Sequence, residues 1–259
     1  MRSATQPAPV HLPGFFAGVR AFTEGVGFIL RTPAVWGYSL VPAAIAFALF
    51  LVFGTTGAIL IAGTVQEATV TSSTLLVFGA WLLGGIVGLV TLIAAALVAS
   101  SLAQPLSGFA LEAIARNQAL LMGKKLWVSP RGLAPFFRAL GVTLTALAFA
   151  GPALALLTVM TLLFPPWAVV TIPLKFAVTG LALSWDFLDY PFSLRHAGVG
   201  ERLRWVGRHF FAVLGFGLAA SFVMLIPGVG LFVLPMGVAG ATRLLAESDR
   251  ARRYARAGG

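Results

Sequence analysis

"DYPFSLRHAGVGERLRWVGRH" (residues 189–209) is the stretch on which the fold is read. With the preceding residues it forms a polar island holding three acids, Asp186, Asp189 and Glu201, and four arginines, Arg195, Arg202, Arg204 and Arg208. Long apolar runs flank it on both sides. Such a segment reads as the place where one membrane helix leaves the bilayer and the next prepares to enter it.

Composition supports that reading. Of 259 residues, 59% are hydrophobic and only 10% charged, whereas a soluble domain is roughly half apolar and about a quarter charged. The apolar runs show helical rather than alternating spacing, which argues against an outer-membrane barrel. The expected fold is an all-α integral membrane protein. Residues 1–14 read as a flexible polar lead, rich in proline and unlike a signal peptide. Residues 15–246 read as a single helical membrane domain, and 247–259 as a basic cytoplasmic tail. Cysteine is absent, so no disulfide or thiol chemistry is available.

The formal net charge is +10. The cations sit at the ends of apolar runs, where the positive-inside rule places cytoplasmic anchors, so no nucleic-acid partner is inferred. Every basic residue except Lys175 lies in the N-terminal segment, the two polar islands or the stretch from Arg243 onward. With an even number of crossings these regions share one side. Both termini are then expected in the cytoplasm of a multi-pass protein of the bacterial inner membrane.

From the N-terminus, Phe15–Leu30 carries apolar residues at Phe15, Phe16, Val19, Phe22, Val26, Ile29 and Leu30, with Arg20, Thr23 and Glu24 on the other face. That pattern predicts an amphipathic helix on the membrane surface. Residues 34–62 and 75–99 are each long enough to span the roughly 30 Å hydrocarbon core. Gly84 and Gly88 in the second span have the spacing that permits close helix contact. A first polar island follows, containing Glu112, Arg116, Lys124, Lys125, Arg131 and Arg138. Glu112 and Arg116 are four apart and can pair, opposite an apolar stripe of Leu106, Phe109, Ala113 and Leu120.

Two apolar hairpins come next, residues 142–185 turning at "FPPW" (Phe164–Trp167) and residues 210–246 turning at "IPGVG" (Ile226–Gly230). A shift of 62 positions lays Pro165 on Pro227 and Pro173 on Pro235, which suggests an internal repeat of proline-tipped hairpins. The arm from Phe210 to Ile226 is about 17 residues, roughly 25 Å of helix. The hairpins are thus short enough to penetrate the bilayer only partly, with full crossing left open.

Catalytic chemistry finds no foothold. His11, His196 and His209 lack metal-ligand spacing, no phosphate-binding loop occurs, and "GFGLAA" (Gly215–Ala220) lies inside an apolar run rather than after a strand. No enzyme activity, cofactor or metal site is expected. Lys175 stands out, because an ionisable group at membrane depth is costly and usually faces protein or water. It reads either as a cation lining an anion path or as a lysine snorkelling to an interface.

The stretch from Ser184 to Thr242 resembles the CysZ sulfate-permease family, which shares a domain with the eukaryotic etoposide-induced protein 2.4 family. The matching pieces are "LDYP" (Leu188–Pro191), the basic helix Glu201–Arg208, "LGFG" (Leu214–Gly217), "LIPGVGLFVLP" (Leu225–Pro235) and "VAGAT" (Val238–Thr242). Upstream, "LAQPLSGFALEAI" (Leu102–Ile114) and "RTPAVWGYSLVPAAI" (Arg31–Ile45) are similar to the family's segments after the second span and before the first. The resemblance implies two long transmembrane helices, two pairs of partly penetrating helices, homo-oligomers and inward passage of sulfate. One departure concerns the arginine-bearing segment with which such permeases bind the anion. The corresponding "TPAVWGY" (Thr32–Tyr38) has none, leaving Arg31 just before it as the substitute.

The reading is therefore a permease or channel-like protein for sulfate or a similar small oxyanion. The alternative is a membrane-structural or regulatory protein of the same fold without solute transport. Anion-binding candidates are Arg31, Lys175, Arg202, Arg204 and Arg208, the last three facing headgroups or an anion entrance. A structural network is expected among Glu112, Arg116, Arg138, Asp186 and Asp189, with the two aspartates pairing to Arg116 or Arg138. A lipid-facing basic helix without ligand is the plainer account of the arginines.

Overall fold

The structure is a computed structural model, which describes residues 14–70, 74–123, 134–226 and 229–257. Among them the regular elements are all helical. The helices are α1 (Phe15–Arg31), α2 (Trp36–Val70), α3 (Thr74–Leu106), α4 (Gly108–Leu121), α5 (Ala134–Leu163), α6 (Ala168–Leu194), α7 (Val199–Arg208), α8 (Phe210–Met224) and α9 (Gly230–Ala257). The chain divides into two compact units, residues 40–107 and the remainder.

The first unit is a helical pair, α3 and most of α2. Gly54 and Gly57 of α2 approach Leu92 and Thr91 of α3, and Gly84 of α3 meets Val65 of α2. Numbers that rise on one helix fall on the other, so the pair is antiparallel. Gly88 faces open space, so only one glycine of the expected pair serves the contact. Phe78, Trp81 and Ile59 are 70%, 66% and 70% exposed, a surface that only lipid or another apolar body would cover.

The second unit holds the core. α1 packs on α8 and α9, α6 packs on α5, α8 and α9, and α4 packs on α9 and α6. Phe22, Phe187 and Phe216, from α1, α6 and α8, meet edge-on at its centre. Glycines set the spacing. Gly18 of α1 lies on the backbone of Ala212 in α8, Gly25 of α1 on Gly240 of α9, and Gly180 of α6 on Gly217 of α8. At these points a methyl group would overlap main-chain atoms. Apolar side chains gain little by leaving lipid for protein, so close van der Waals contact has to hold such helices together. The amphipathic face of α1 is thus turned into the protein through Gly18, Ala21, Phe22, Gly25 and Ile29, rather than left for the membrane surface.

Two expectations change in detail. The buried face of α4 is Ala110, Leu111, Ile114, Ala115 and Ala119, whereas Leu106, Phe109 and Leu120 are exposed. The apolar stripe read from sequence faces outward because α4 turns its alanine-rich face onto α9 and α6. The hairpins also differ in reach. In the first, the apolar segments Leu140–Leu163 and Pro165–Leu194 have 24 and 30 residues, enough to cross the core. In the second, α8 has 15 residues, about 22 Å. Its tip residues Pro227 and Gly228 lie outside the described residues. Pro173 and Pro235 each fall five residues after the first residue of their helices, Ala168 and Gly230.

Among the described residues four helical segments are long and apolar enough to cross a membrane, and α7 and α8 form a further pair bent by 91°. The molecule is an all-α membrane protein. Replacing Gly217 by alanine would place a methyl group on the Gly180 carbonyl. The expected cost is about 1–3 kcal/mol, read as a lower midpoint of thermal unfolding in detergent. Gly207→Ala, at a position with open space around it, should leave the midpoint unchanged.

Candidate functional site

Polar clusters interrupt the apolar second unit. The first lies at its charged end and begins with the end of α6. There Ala197 N–H donates to the Phe192 carbonyl at 3.1 Å and His196 N–H to the Ser193 carbonyl at 3.0 Å, a helix stop that requires a left-handed residue. That residue is His196, at φ 55°, a position glycine would fill with less strain. The turn aims the Ala197 carbonyl at Arg202, whose Nε donates to it at 3.1 Å. The same guanidinium pairs with Asp189, reaches Ser193 Oγ at 3.3 Å, and lies 5.8 Å from the centre of the Phe192 ring. Ser193 Oγ in turn donates to Asp189 at 3.0 Å.

Arg202 is therefore neither at the headgroups nor at an anion entrance, being only 3% exposed. Among the described residues the partner of Asp189 is Arg202, thirteen residues on, across the α6–α7 turn, and not Arg116 of the first island. Short sequence separation and a helix stop of fixed geometry favour the local arginine over a distant one. Around this pair, Trp205 Nε1 donates to Ser248 at 3.2 Å and stacks on His209. Arg195 pairs with Asp249 at 2.6 Å, and Arg250 donates to the last turn of α4 at Met122 O, 2.7 Å away. These bonds fasten α7 and α4 to the polar half of α9.

Of the other network candidates, Glu112 and Arg116 are half-buried on α4, and the side chain of Arg138 lies outside the described residues. Asp186 is half-buried on α6, with Oδ1 enclosed and without a hydrogen-bond partner among the described residues. A second network was missed in the sequence: Arg243 of α9 pairs with Glu24 of α1 and, at 2.9 Å, with Glu247, and Glu24 also holds Arg20 at 2.8 Å. Its helix-spaced members, Arg20–Glu24 and Arg243–Glu247, were visible; that they meet depends on the tertiary packing of α1 on α9.

The second cluster lies in the first hairpin. Lys175 Nζ donates to Thr161 Oγ1 at 3.2 Å, and Thr161 Oγ1 lies 2.6 Å from Thr171 Oγ1. Thr171 is 2% exposed; Lys175 is half-buried. Each threonine has one hydroxyl proton, and both also lie within bonding distance of carbonyls, Leu157 O for Thr161 and Trp167 O for Thr171. One of them gives up its carbonyl to bond the other, so the pair can switch direction. Among the described residues no carboxylate pairs with Lys175. An ammonium has three donors, and only one of them has an acceptor in this cluster. The arrangement offers a fixed cation and hydroxyls to an incoming acceptor. The threonines were also missed, although they lie five residues to either side of Pro166 and so must face each other across the tip.

Arg31, at the end of α1, is exposed. Beside it, Trp36 Nε1 donates to Ile29 O at 2.8 Å. Arg204 and Arg208 are exposed on α7. Of the five candidate cations, Arg202, Arg204 and Arg208 share α7, Lys175 lies in the first hairpin and Arg31 at the end of α1.

Comparison with known proteins gives this geometry a context. The family model described as Sulfate transporter CysZ/Etoposide-induced protein 2.4 matches residues 21–235. The chain belongs to this family. Its similarity to a sulfate transporter CysZ of Pseudomonas fluorescens strain Pf0-1 is 28% identity over 253 residues, 91% of this chain and 93% of that protein. Sulfate transporter CysZ of P. fluorescens strain SBW25 is 30% identical over 154 residues, 56% of this chain and 57% of that one. That of P. aeruginosa strain LESB58 is 27% identical over 151 residues, 56% and 59% of the two chains. The CysZ family motifs now have structural reasons. Asp189 of "LDYP" holds the buried arginine. Gly217 of "LGFG" and Gly240 of "VAGAT" are contact points of α8 with α6 and of α9 with α1.

Arg202→Met leaves Asp189 buried without its cation, and should cost about 3–5 kcal/mol, seen as early unfolding in detergent. Adding Asp189→Leu should recover most of the loss; an equally unstable double variant would assign the damage to packing. His196→Gly, which relieves the left-handed residue, should raise the midpoint.

Proposed function

We propose that this multi-pass membrane protein is a permease for sulfate or a similar small oxyanion, without a catalytic step. The observation that carries the reading is the Lys175–Thr161–Thr171 cluster. A doubly charged oxyanion in a low-dielectric setting needs a cation and several donors, and here a lysine is held in place by hydroxyls that can themselves turn to donate. Support also comes from the sulfate transporter CysZ relative matched over nearly its whole length. Arg31, exposed before the first long span, is the proposed entry contact. The protein is placed in the bacterial inner membrane as a homo-oligomer with both termini in the cytoplasm, the side on which its basic segments are retained.

The relatives' naming as transporters supports transport over the purely structural reading. Uptake of labelled sulfate into proteoliposomes decides between them. Saturable uptake above empty liposomes is expected, and Lys175→Ala should lower it about tenfold or more at subsaturating sulfate, the effect of losing one charge-assisted contact. Absence of uptake by protein with an unaltered unfolding midpoint would return the chain to the structural reading.

A further inference from the structure

A cavity of about 320 Å³ lies between α5, α6, α7 and α8, apart from both polar clusters. Its wall is almost wholly apolar and includes Phe149 and Ala150 of α5, Trp185 of α6, Leu203 and Val206 of α7 and Phe210 of α8. Phe149 is 74% exposed and Phe210 42% exposed, so the cavity opens outward past them, where the unit presents apolar side chains. Two polar side chains line it: Thr145, whose hydroxyl donates to the Gly141 carbonyl at 2.7 Å, and Trp185, whose indole Nε1 is enclosed and presents no surface to the cavity.

The helix above this cavity is amphipathic in a particular way. α7 turns Arg202 and Trp205 into the core and lays Leu203 and Val206 on the cavity. Arg204 and Arg208, one turn apart, remain exposed. Their Nε atoms are tied down, to Gly200 O at 3.2 Å and to Arg204 O at 3.1 Å. This fixes the stems and leaves the outer nitrogens to an external anion. Neither forms an ion pair with a carboxylate of the described residues. At the bend of 91° α8 runs down from the end of α7, so α7 lies across the direction of the apolar helices, as an interfacial helix does. Trp185 sits one residue before Asp186, at the boundary of apolar and charged sequence. Indoles prefer that level of a bilayer.

We propose that this cavity is a binding site for an anionic phospholipid. One acyl chain fills the apolar space and the phosphate is held by Arg204 and Arg208. A free oxyanion fits poorly, since it would use the arginines and leave the cavity unoccupied. The two arginines are thereby assigned to lipid and not to the transported ion.

The test uses the full chain in a neutral detergent, with dioleoyl phosphatidylglycerol, dioleoyl phosphatidylcholine or soluble glycerol 3-phosphate added, and native mass spectrometry as the readout. The expected result is one phosphatidylglycerol retained per chain, about tenfold more than phosphatidylcholine, with no competition from glycerol 3-phosphate. Arg204→Gln with Arg208→Gln, both at the surface, should abolish the headgroup preference. Ala150→Trp should block retention of either lipid. Equal retention of the two lipids, effective competition by glycerol 3-phosphate, or undiminished retention by folded Ala150→Trp would overturn the proposal. If Ala150→Trp does not fold, the headgroup comparison and the arginine variant decide alone. Sulfate uptake is not read in this experiment, so its outcome is independent of the proposed transport.

Discussion

Backbone-to-backbone contact at glycine is the constraint on which the second unit rests. Water does not drive the helices of a membrane protein together once they are in lipid, and close packing has to do so. α1, α6, α8 and α9 meet where one helix offers a glycine to the main chain of the next: Gly18 to Ala212, Gly25 to Gly240, Gly180 to Gly217. These contacts bring Ser184 Oγ within 2.8 Å of the Val213 carbonyl and close the aromatic cluster of Phe22, Phe187 and Phe216. They also place Glu24 against Arg243. The ion pairs at the edges are consequences of this packing, because long charged side chains adapt to whatever separation the backbones adopt.

At the charged end the dependence runs the other way. The Asp189–Arg202 pair is buried, and two charges removed from water are tolerated only when their hydrogen bonds are nearly complete. Ser193 and the Ala197 carbonyl supply the missing partners, and both belong to the α6–α7 turn. The turn can therefore hold only one direction of exit from α6. That direction lays α7 across the apolar helices and sets up the bend into α8. Such a pair contributes more to the choice of one arrangement than to net stability.

Much of the architecture was legible in the sequence because hydrophobic length and charge position are read by the bilayer itself. The two long spans, the FPPW tip and the amphipathic first helix follow from those rules. What was not legible lies where polarity loses its meaning as a guide to burial. On α4 the apolar residues Phe109 and Leu120 face outward while Gln118 is buried. On α7 three arginines look alike in sequence, yet Arg202 is 3% exposed and its two neighbours are open. Only the register of the α6–α7 turn separates them. The threonines beside Lys175 were overlooked for a different reason: threonine is unremarkable in an apolar helix until the hairpin brings two of them together.

The separation of cations has a functional consequence. An arginine neutralised by an aspartate cannot also hold a mobile anion, since the carboxylate already occupies its donors and repels a second negative charge. An arginine at the membrane surface meets a high dielectric, where its pull on a passing ion is screened within about 10 Å. In the proposed permease Lys175 suffers neither limit: it is held by neutral hydroxyls, and its charge is uncompensated by any carboxylate among the described residues. Binding that is strong enough to draw an anion in must still be weak enough to release it. Threonine hydroxyls, which trade an anion for a helix carbonyl with little movement, suit that requirement better than a second fixed charge would.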